Sequence, residues 1–510
     1  MVDLNALTAA HRFGLGARFG ELDTIAPDPK TWLNAQLTDV SSTLDTFGLM
    51  SSVEAVTLFF DYLRTKREEK KAAAAATFGT QSKTAKSTNK ERLLAFASTI
   101  DEIKSTEQMA RQSAKDISGL AKAASDASKA KTVKTSQDLL QDMYKSLIDD
   151  VSVRTLHATL TPASFRERLV RFWSDHFSVD FDKSLITVPT AITMEREAIR
   201  PHVTGKFYDM LVAVESHQGM LIYLDNWTSI GPNSWAGQEF NLGLNENLAR
   251  ETLELHTLGV GGGYSQDDII EYAKAITGWT MGNLNFNEDS LGAFVYQPLF
   301  HEPGTRTIMG KSYPDTGMNQ ALNALQDFVR HPSTAKHIAR KLAFHFHSDT
   351  PPQSLIDKLA QVFTDTDGDL LQVSLALVGA DEMWDGQFLK LRNSEEFLLA
   401  SYRAFDLSNL APDETFNVFE LMGQVPFTAG SPAGWPDDEA SWASSSTIAA
   451  RLNLSVLIGN LIDNVPLPPD YANDLVGPIL STNSTQILSG AFTKAQGYAL
   501  MLMTPEMQRR

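Results

Sequence analysis

With 510 residues, 43% of them hydrophobic, the chain has apolar material for two or three average domains or for one large helical domain carrying an insertion. A formal charge of -18 excludes a nucleic-acid backbone as partner, because that affinity comes from clustered Lys and Arg that release counterions. Cysteine is absent, which removes disulfides, thiolate nucleophiles and iron–sulfur clusters and leaves His, carboxylate or carbonyl oxygen as metal ligands.

The first twenty residues carry no basic start followed by a long apolar run, so no signal peptide is expected and the cytoplasm is favoured. No window of about 18 apolar residues occurs, so no transmembrane helix is expected. The first helix covers residues 4–13 and stops at Gly14 and Gly16; His11 and Arg12 at its end complement the helix dipole or serve a site. Residues 1–64 contribute helices to the core. Between 65 and 134 Ala and Lys dominate and aromatic residues nearly vanish, the composition of long solvated helices that bury a thin stripe. We read 65–149 as a helical-hairpin insertion whose 65–134 arm is either a solvated face or a docking surface for a partner protein.

From 150 to 510 the texture is that of a main helical core. Ser164 and Glu167 have the spacing of a capping box, and Leu169, Phe172, Trp173 and His176 then fall on one helical stripe. His176 is therefore a core histidine bonded to a carbonyl or a site residue, with Asp175 beside it to orient it or share a metal. Residues 226–243 form a loop long enough to be functional.

The central stretch, 245–280, reads as helix, glycine turn, helix. Leu248, Thr252, Leu253, Leu255 and Leu258 point inward, while Asn247, Glu251 and Glu254 align at i, i+4 and i+7, Arg250 pairs with Glu254, and His256 follows. Two carboxylates and an amide on adjacent turns suit a divalent cation or an acid and a base; surface ion pairing gives the same pattern. Ser265 and Asp268 form a second capping box. Asp267 to Glu271 also resembles the Asp-rich, magnesium-binding motif of the helical terpene cyclases, although Leu255 breaks the second motif those enzymes need.

Two β-branched runs, 294–298 and 305–310, joined by a turn around His301, signal one β-hairpin. A helix over 333–346 turns Ala335, Ile338, Ala339, Leu342 and Phe346 inward and carries His337, Arg340, Lys341 and His345 on its other side, where Arg340 and Lys341 can hold an anionic group. Arg250 and Lys341 are the candidate cofactor-holding cations. The run 365–369 is no calcium loop, because Leu370 and Ala376 occupy the places that need Gly and a bidentate Glu; it caps a helix instead. The proline-rich loop 423–442, with Trp435 and Trp442, closes over a groove or serves as packing. No P-loop, nucleophile elbow, His-Glu-x-x-His helix or Glu-x-x-His pair is present.

The blocks AHRFGLGAR, RERLVRFWSDHF, MLIYLDN, NENLARETLELHTLGVGGGYSQDDI, AITGW, HEPGTRTIMGK, HPSTAKHIARKLAFHF and SPAGWPDDEASW together resemble the bacterial family known as domain of unknown function 1800, over nearly the whole chain. The resemblance implies no reaction. It nominates Asn245, Asn247, Arg250, Glu251, Glu254, His256, Trp173, His176, His301, Lys341 and Trp435.

The expectation is a mainly α fold with one small β-hairpin near 294–310. Its leading function is that of an enzyme using Glu251, Glu254, His256, His176 and His301 as acid–base groups, or a divalent ion on Asn247, Glu251 and Glu254. The alternative is a non-catalytic scaffold that binds a partner protein, and the third option is magnesium-dependent diphosphate chemistry.

Overall fold

Helix α1 (Leu4–Thr8) starts where Asp3 accepts the Asn5 amide and runs into a π-helical turn, Ala9–Phe13, that carries His11 and Arg12 into the interior. The computed structural model describes residues 3–39, 43–75, 102, 106, 134–282, 290–462 and 466–510. The fold is mainly α, with two small antiparallel strand pairs among the described residues.

Helices α2 (Ser52–Ala75) and α3 (Ser136–Leu160) pack against each other. Most of the arm expected at 65–134 lies outside the described residues. Helix α3 opens with a Thr135/Asp138 capping box, buries Leu139, Met143, Leu147 and Val151, and crosses position 150 without a break.

The Ser164/Glu167 capping box does not form. Ser164 is already the first residue of α4 (Ser164–His176), and Glu167 is buried in ion pairs with Arg171 and Arg200. A carboxylate surrounded by guanidinium groups gains more there than at an exposed cap, and Gln36 Oε1 takes the Phe165 amide instead, at 2.9 Å.

Helix α5 (Thr187–Met194) passes into a π-turn at Glu195–Ile199, followed by α6 (Phe207–Glu215). Helix α7 (Asn247–Glu251) likewise continues as a π-turn, Thr252–His256. Gly259 follows at φ +80°, where a Cβ would stand 2.8 Å from His337 Nδ1, so glycine is needed for both the turn and the close approach. Helix α8 (Gln266–Ala275) has the expected Ser265/Asp268 capping box.

The expected hairpin is re-paired. Strand β1 (Trp279–Met281) pairs with β2 (Phe294–Tyr296), and β3 (Arg306–Ile308) pairs with β4 (Lys311–Tyr313). Met309 (φ +50°) and Gly310 (φ +76°) make a two-residue turn with both φ positive, the geometry that matches strand twist. The Met309 amide donates to Asp268 Oδ1 at 2.5 Å, tying this hairpin to the start of α8.

Helix α9 (Pro332–Phe346) buries the five expected apolar residues, with His331 accepting the Ser333 amide. Asp369 caps the helix Leu370–Gly379. Helices α10 (Ser394–Ala404) and α11 (Ser445–Leu461) complete the part of the core that matters here. No described helix is long and apolar enough to cross a membrane.

Candidate functional site

Helices α4 and α9, the start of α10 and the 423–442 loop enclose a cavity of about 380 Å³. On α9 the apolar residues occupy the core-facing side, so His337, Lys341 and His345, at i, i+4 and i+8, share the opposite line and all three border the cavity. Arg168, Phe172 and Asp175 do the same on α4 by i, i+4 and i+7 spacing. The loop is pinned to that wall: the Trp435 amide donates to Asp175 Oδ1 at 2.7 Å, and the Phe181 amide to the Phe427 carbonyl at 3.0 Å. At Gly434 a Cβ would lie 2.5 Å from the Asp175 carbonyl oxygen, so the loop reaches α4 only with glycine there.

Asp175, Arg340 and Lys341 border the cavity together, Arg340 at an exposed position. Burial pushes the Asp175 carboxyl up to about 7, with Asp437 and Glu395 adding repulsion and Lys341 and the Trp435 amide opposing it. Burial also lowers the Lys341 ammonium below its usual value, against the pull of Asp175 and Asp437. Arg340 and Lys341 have no hydrogen-bonded or ion-paired partner among the described residues.

The rest of the lining is densely paired. Glu396 accepts from Arg168 Nη1 at 2.6 Å and from Arg510 Nε at 2.9 Å, and these cations hold it well below the usual carboxylate range despite burial. Asp437 accepts from His345 Nδ1 at 2.9 Å; burial would raise it, but His345, Lys390 and Arg510 together keep it low. From the lining residues Arg154, Arg171 and Glu395 a ladder of ion pairs continues through Glu195, Arg200 and Glu167, with Arg154 Nε 2.7 Å from Glu195 and Arg200 Nη2 2.8 Å from the same carboxylate. Opposed by burial but surrounded by Arg154 and Arg200, Glu195 falls to about 2.

Next to His337 sits a second layer of histidines. His176 donates from Nε2 to the His256 carbonyl at 3.2 Å, and His337 to the Leu255 carbonyl at 3.0 Å. The His176 ring lies 6.3 Å from that of His256 and 6.1 Å from that of His337. His256 donates from Nδ1 to Glu215 Oε1 at 2.7 Å, and Thr252 donates to Glu215 Oε2 at 3.0 Å. Burial lowers His176 strongly and His337 to about 4, with Lys341 next in both cases, so both rings are neutral at pH 7. The interior packs Trp173, Phe177 and Phe207 around His176.

The remaining nominated residues stand elsewhere. Asn247 is exposed, and its amide donates to Asn245 Oδ1 at 2.9 Å. Glu251 and Glu254 are half-buried, and neither borders the cavity. Arg250 lies 3.3 Å from Glu246 and 3.5 Å from Glu254 and donates to Gln266, so it occupies the middle of that carboxylate face. Burial raises the Glu251 carboxyl, only partly offset by His256. His301 belongs to the strand region, donating from Nδ1 to the Thr277 carbonyl at 3.1 Å with Nε2 3.6 Å from Asp315. Among the described residues no three or more His, Asp or Glu side chains stand where they could hold one metal ion. The acidic run 267–271 is engaged in capping by Asp268 and in pairs of Glu271 with Lys274 and Arg306.

The structure thus brings Lys341 and Trp435 to the cavity, sets His176 and His256 one layer behind it, and leaves Asn247, Glu251, Glu254 and His301 apart. Sequence reasoning passed over Arg168, Glu396, His345 and Asp437 as site residues. The signal for one of them, His345, was present, since His337, Lys341 and His345 recur every four residues; the partners of that line come from segments distant in sequence. The chain belongs to the family described as protein of unknown function (DUF1800), whose model matches residues 8–509. No curated protein and no solved structure matches it.

Proposed function

Taking that family membership as premise, we propose that the protein is an enzyme that performs acid–base chemistry in the cavity between α4, α9 and the 423–442 loop. The observation that carries this reading is convergence. Asp175, Lys341 and Trp435 come from three sequence blocks far apart, and all three border one cavity of about 380 Å³, within the range of about 300–1,000 Å³ usual for small-molecule sites.

Two carboxyl groups in that cavity are driven in opposite directions, Asp175 up to about 7 and Asp437 down. Such a split is how one site keeps a proton donor beside an ionised group. In this reading Asp175 gives a proton to the substrate or takes one from it, and Lys341 stabilises the negative charge that develops. His345, held at Nδ1 by Asp437, is the second proton-transfer group, and its orientation by a carboxylate follows the logic of a carboxylate–imidazole pair. Trp435 and Phe172 provide apolar walls. His176, His256 and Glu215 act as positioning residues beneath α9, while Glu251, Glu254 and His301 take no part.

The test compares wild type with Asp175→Asn in a small-molecule extract followed by mass spectrometry. Wild type is expected to consume at least one compound and form its product at least about a hundredfold faster than the variant, the scale of a general acid–base contribution. Equal turnover by both proteins, or none by either, sinks the reading.

A further inference from the structure

The charges around the cavity do not cancel evenly. Arg168 is matched by Glu396 at 2.6 Å, and Arg171 and Arg154 both contact Glu395. Asp437 is matched by Lys390 at 3.6 Å and Arg510 at 3.8 Å, besides accepting from His345 at 2.9 Å. What is left is Arg340 and Lys341 on consecutive positions of α9, with Asp175 as the one carboxyl whose field Lys341 feels without being matched elsewhere. Asp175 itself is only partly ionised at neutral pH. The Arg340–Lys341 side of the cavity is therefore positive, inside a protein whose formal net charge is -18.

The paired groups beside it add to that field. Glu396 lies among four guanidinium groups, those of Arg168, Arg510, Arg392 and Arg451, and Arg168 Nη2 is buried without a hydrogen-bond partner. A desolvated, under-neutralised cluster next to a low-dielectric cavity focuses a positive potential into it. Holding Lys341 charged in this setting costs stability, and an anion in the cavity recovers that cost.

We propose that the cavity takes an anionic substrate whose oxyanion, a carboxylate or a phosphate, is held by Lys341 and Arg340 beside Asp175. Arg340 contributes a planar fork of donors, Lys341 a point charge, and together they orient the reacting part of the ligand toward the Asp175 carboxyl. The Trp435 and Phe172 walls fit an organic body behind the anionic group. The proposal rests on the same cavity as the acid–base reading and names its substrate class.

The experiment is isothermal titration of the full chain with sodium phosphate and with sodium succinate, each against sodium chloride at matched ionic strength. One oxyanion is expected to bind saturably at a 1:1 ratio; phosphate marks a phosphate ester as the natural ligand, succinate an organic acid. Lys341→Met is expected to weaken binding by about 10- to 100-fold, the worth of one charged hydrogen bond. Arg340→Gln, at an exposed position that leaves the core untouched, is expected to weaken it by about tenfold. The proposal is overturned if wild type binds neither anion above the chloride control, or if the two variants, folded by circular dichroism, bind as wild type does. Asp175→Asn separates it from the reading it rests on. Retained anion binding in a variant that turns over substrate as fast as wild type leaves the subsite standing and removes Asp175 from the chemistry.

Discussion

Helices α7 and α9 carry the same kind of sequence signature, a line of charged side chains ending near a histidine, yet they meet different fates. On α9 the polar line is roofed by the 423–442 loop and borders a cavity. On α7 Asn247 is exposed among the described residues, and Arg250 reaches both Glu246 and Glu254 from within the same face. A charged stripe becomes a candidate site when another segment closes over it and takes it out of water; left uncovered, it is an ordinary ion-paired surface.

That contrast can be broken by mutation, beginning where the effect should be greatest. Glu396→Gln leaves Arg168 and Arg510 buried without their carboxylate, and urea unfolding should show a loss of about 3–5 kcal/mol. A loss under 1 kcal/mol would mean that this paired lining is hydrated rather than desolvated. Next, Glu215→Gln removes the charged acceptor shared by His256 and Thr252, for an expected cost of about 1–3 kcal/mol in the same assay.

The third prediction uses pH. The Asp175 carboxyl is raised to about 7 in the folded protein, so its ionisation opposes folding in full above that pH, and the penalty fades as pH falls toward its unfolded value. Relative to wild type, Asp175→Asn should therefore be more stable at pH 8 than at pH 5, by roughly 2 kcal/mol after allowance for solvent screening. The lowered histidines run the other way. The stability from keeping His176 and His337 neutral is present above about pH 6.5 and is lost as pH falls through His337's value of about 4. Because they are unchanged in the variant, comparing the two proteins isolates Asp175. A pH-independent difference would contradict the raised carboxyl.

The smallest effect belongs to α7. A Glu251→Gln, Glu254→Gln double variant should change stability by no more than about 0.5 kcal/mol, and its oxyanion binding should equal that of wild type. A larger stability change would show that this face is covered in solution.

Several local features were legible because they depend on near neighbours alone. The Ser265/Asp268 cap, the Asp369 cap and the apolar side of α9 from Ala335 to Phe346 all follow from spacing. The failures have specific causes. The Ser164/Glu167 cap lost to burial of Glu167 among arginines. The strand at Arg306–Ile308 turned back through Met309 in a left-handed conformation that methionine rarely adopts, so the longer loop around His301 looked like the natural turn. The π-turn at Thr252–His256 carries His256 into the interior, where its Nδ1 meets Glu215, a partner that ideal helical spacing does not announce.

By itself, then, the sequence determined the family, the mainly helical class and the amphipathic sides of individual helices, since periodicity and capping are written within a dozen residues. Tertiary structure alone decided that Asp175, Lys341 and Trp435 border one cavity while Glu251 and Glu254 do not. Roofing a charged helix face needs a loop some ninety residues away, and no local pattern encodes which face that loop will cover.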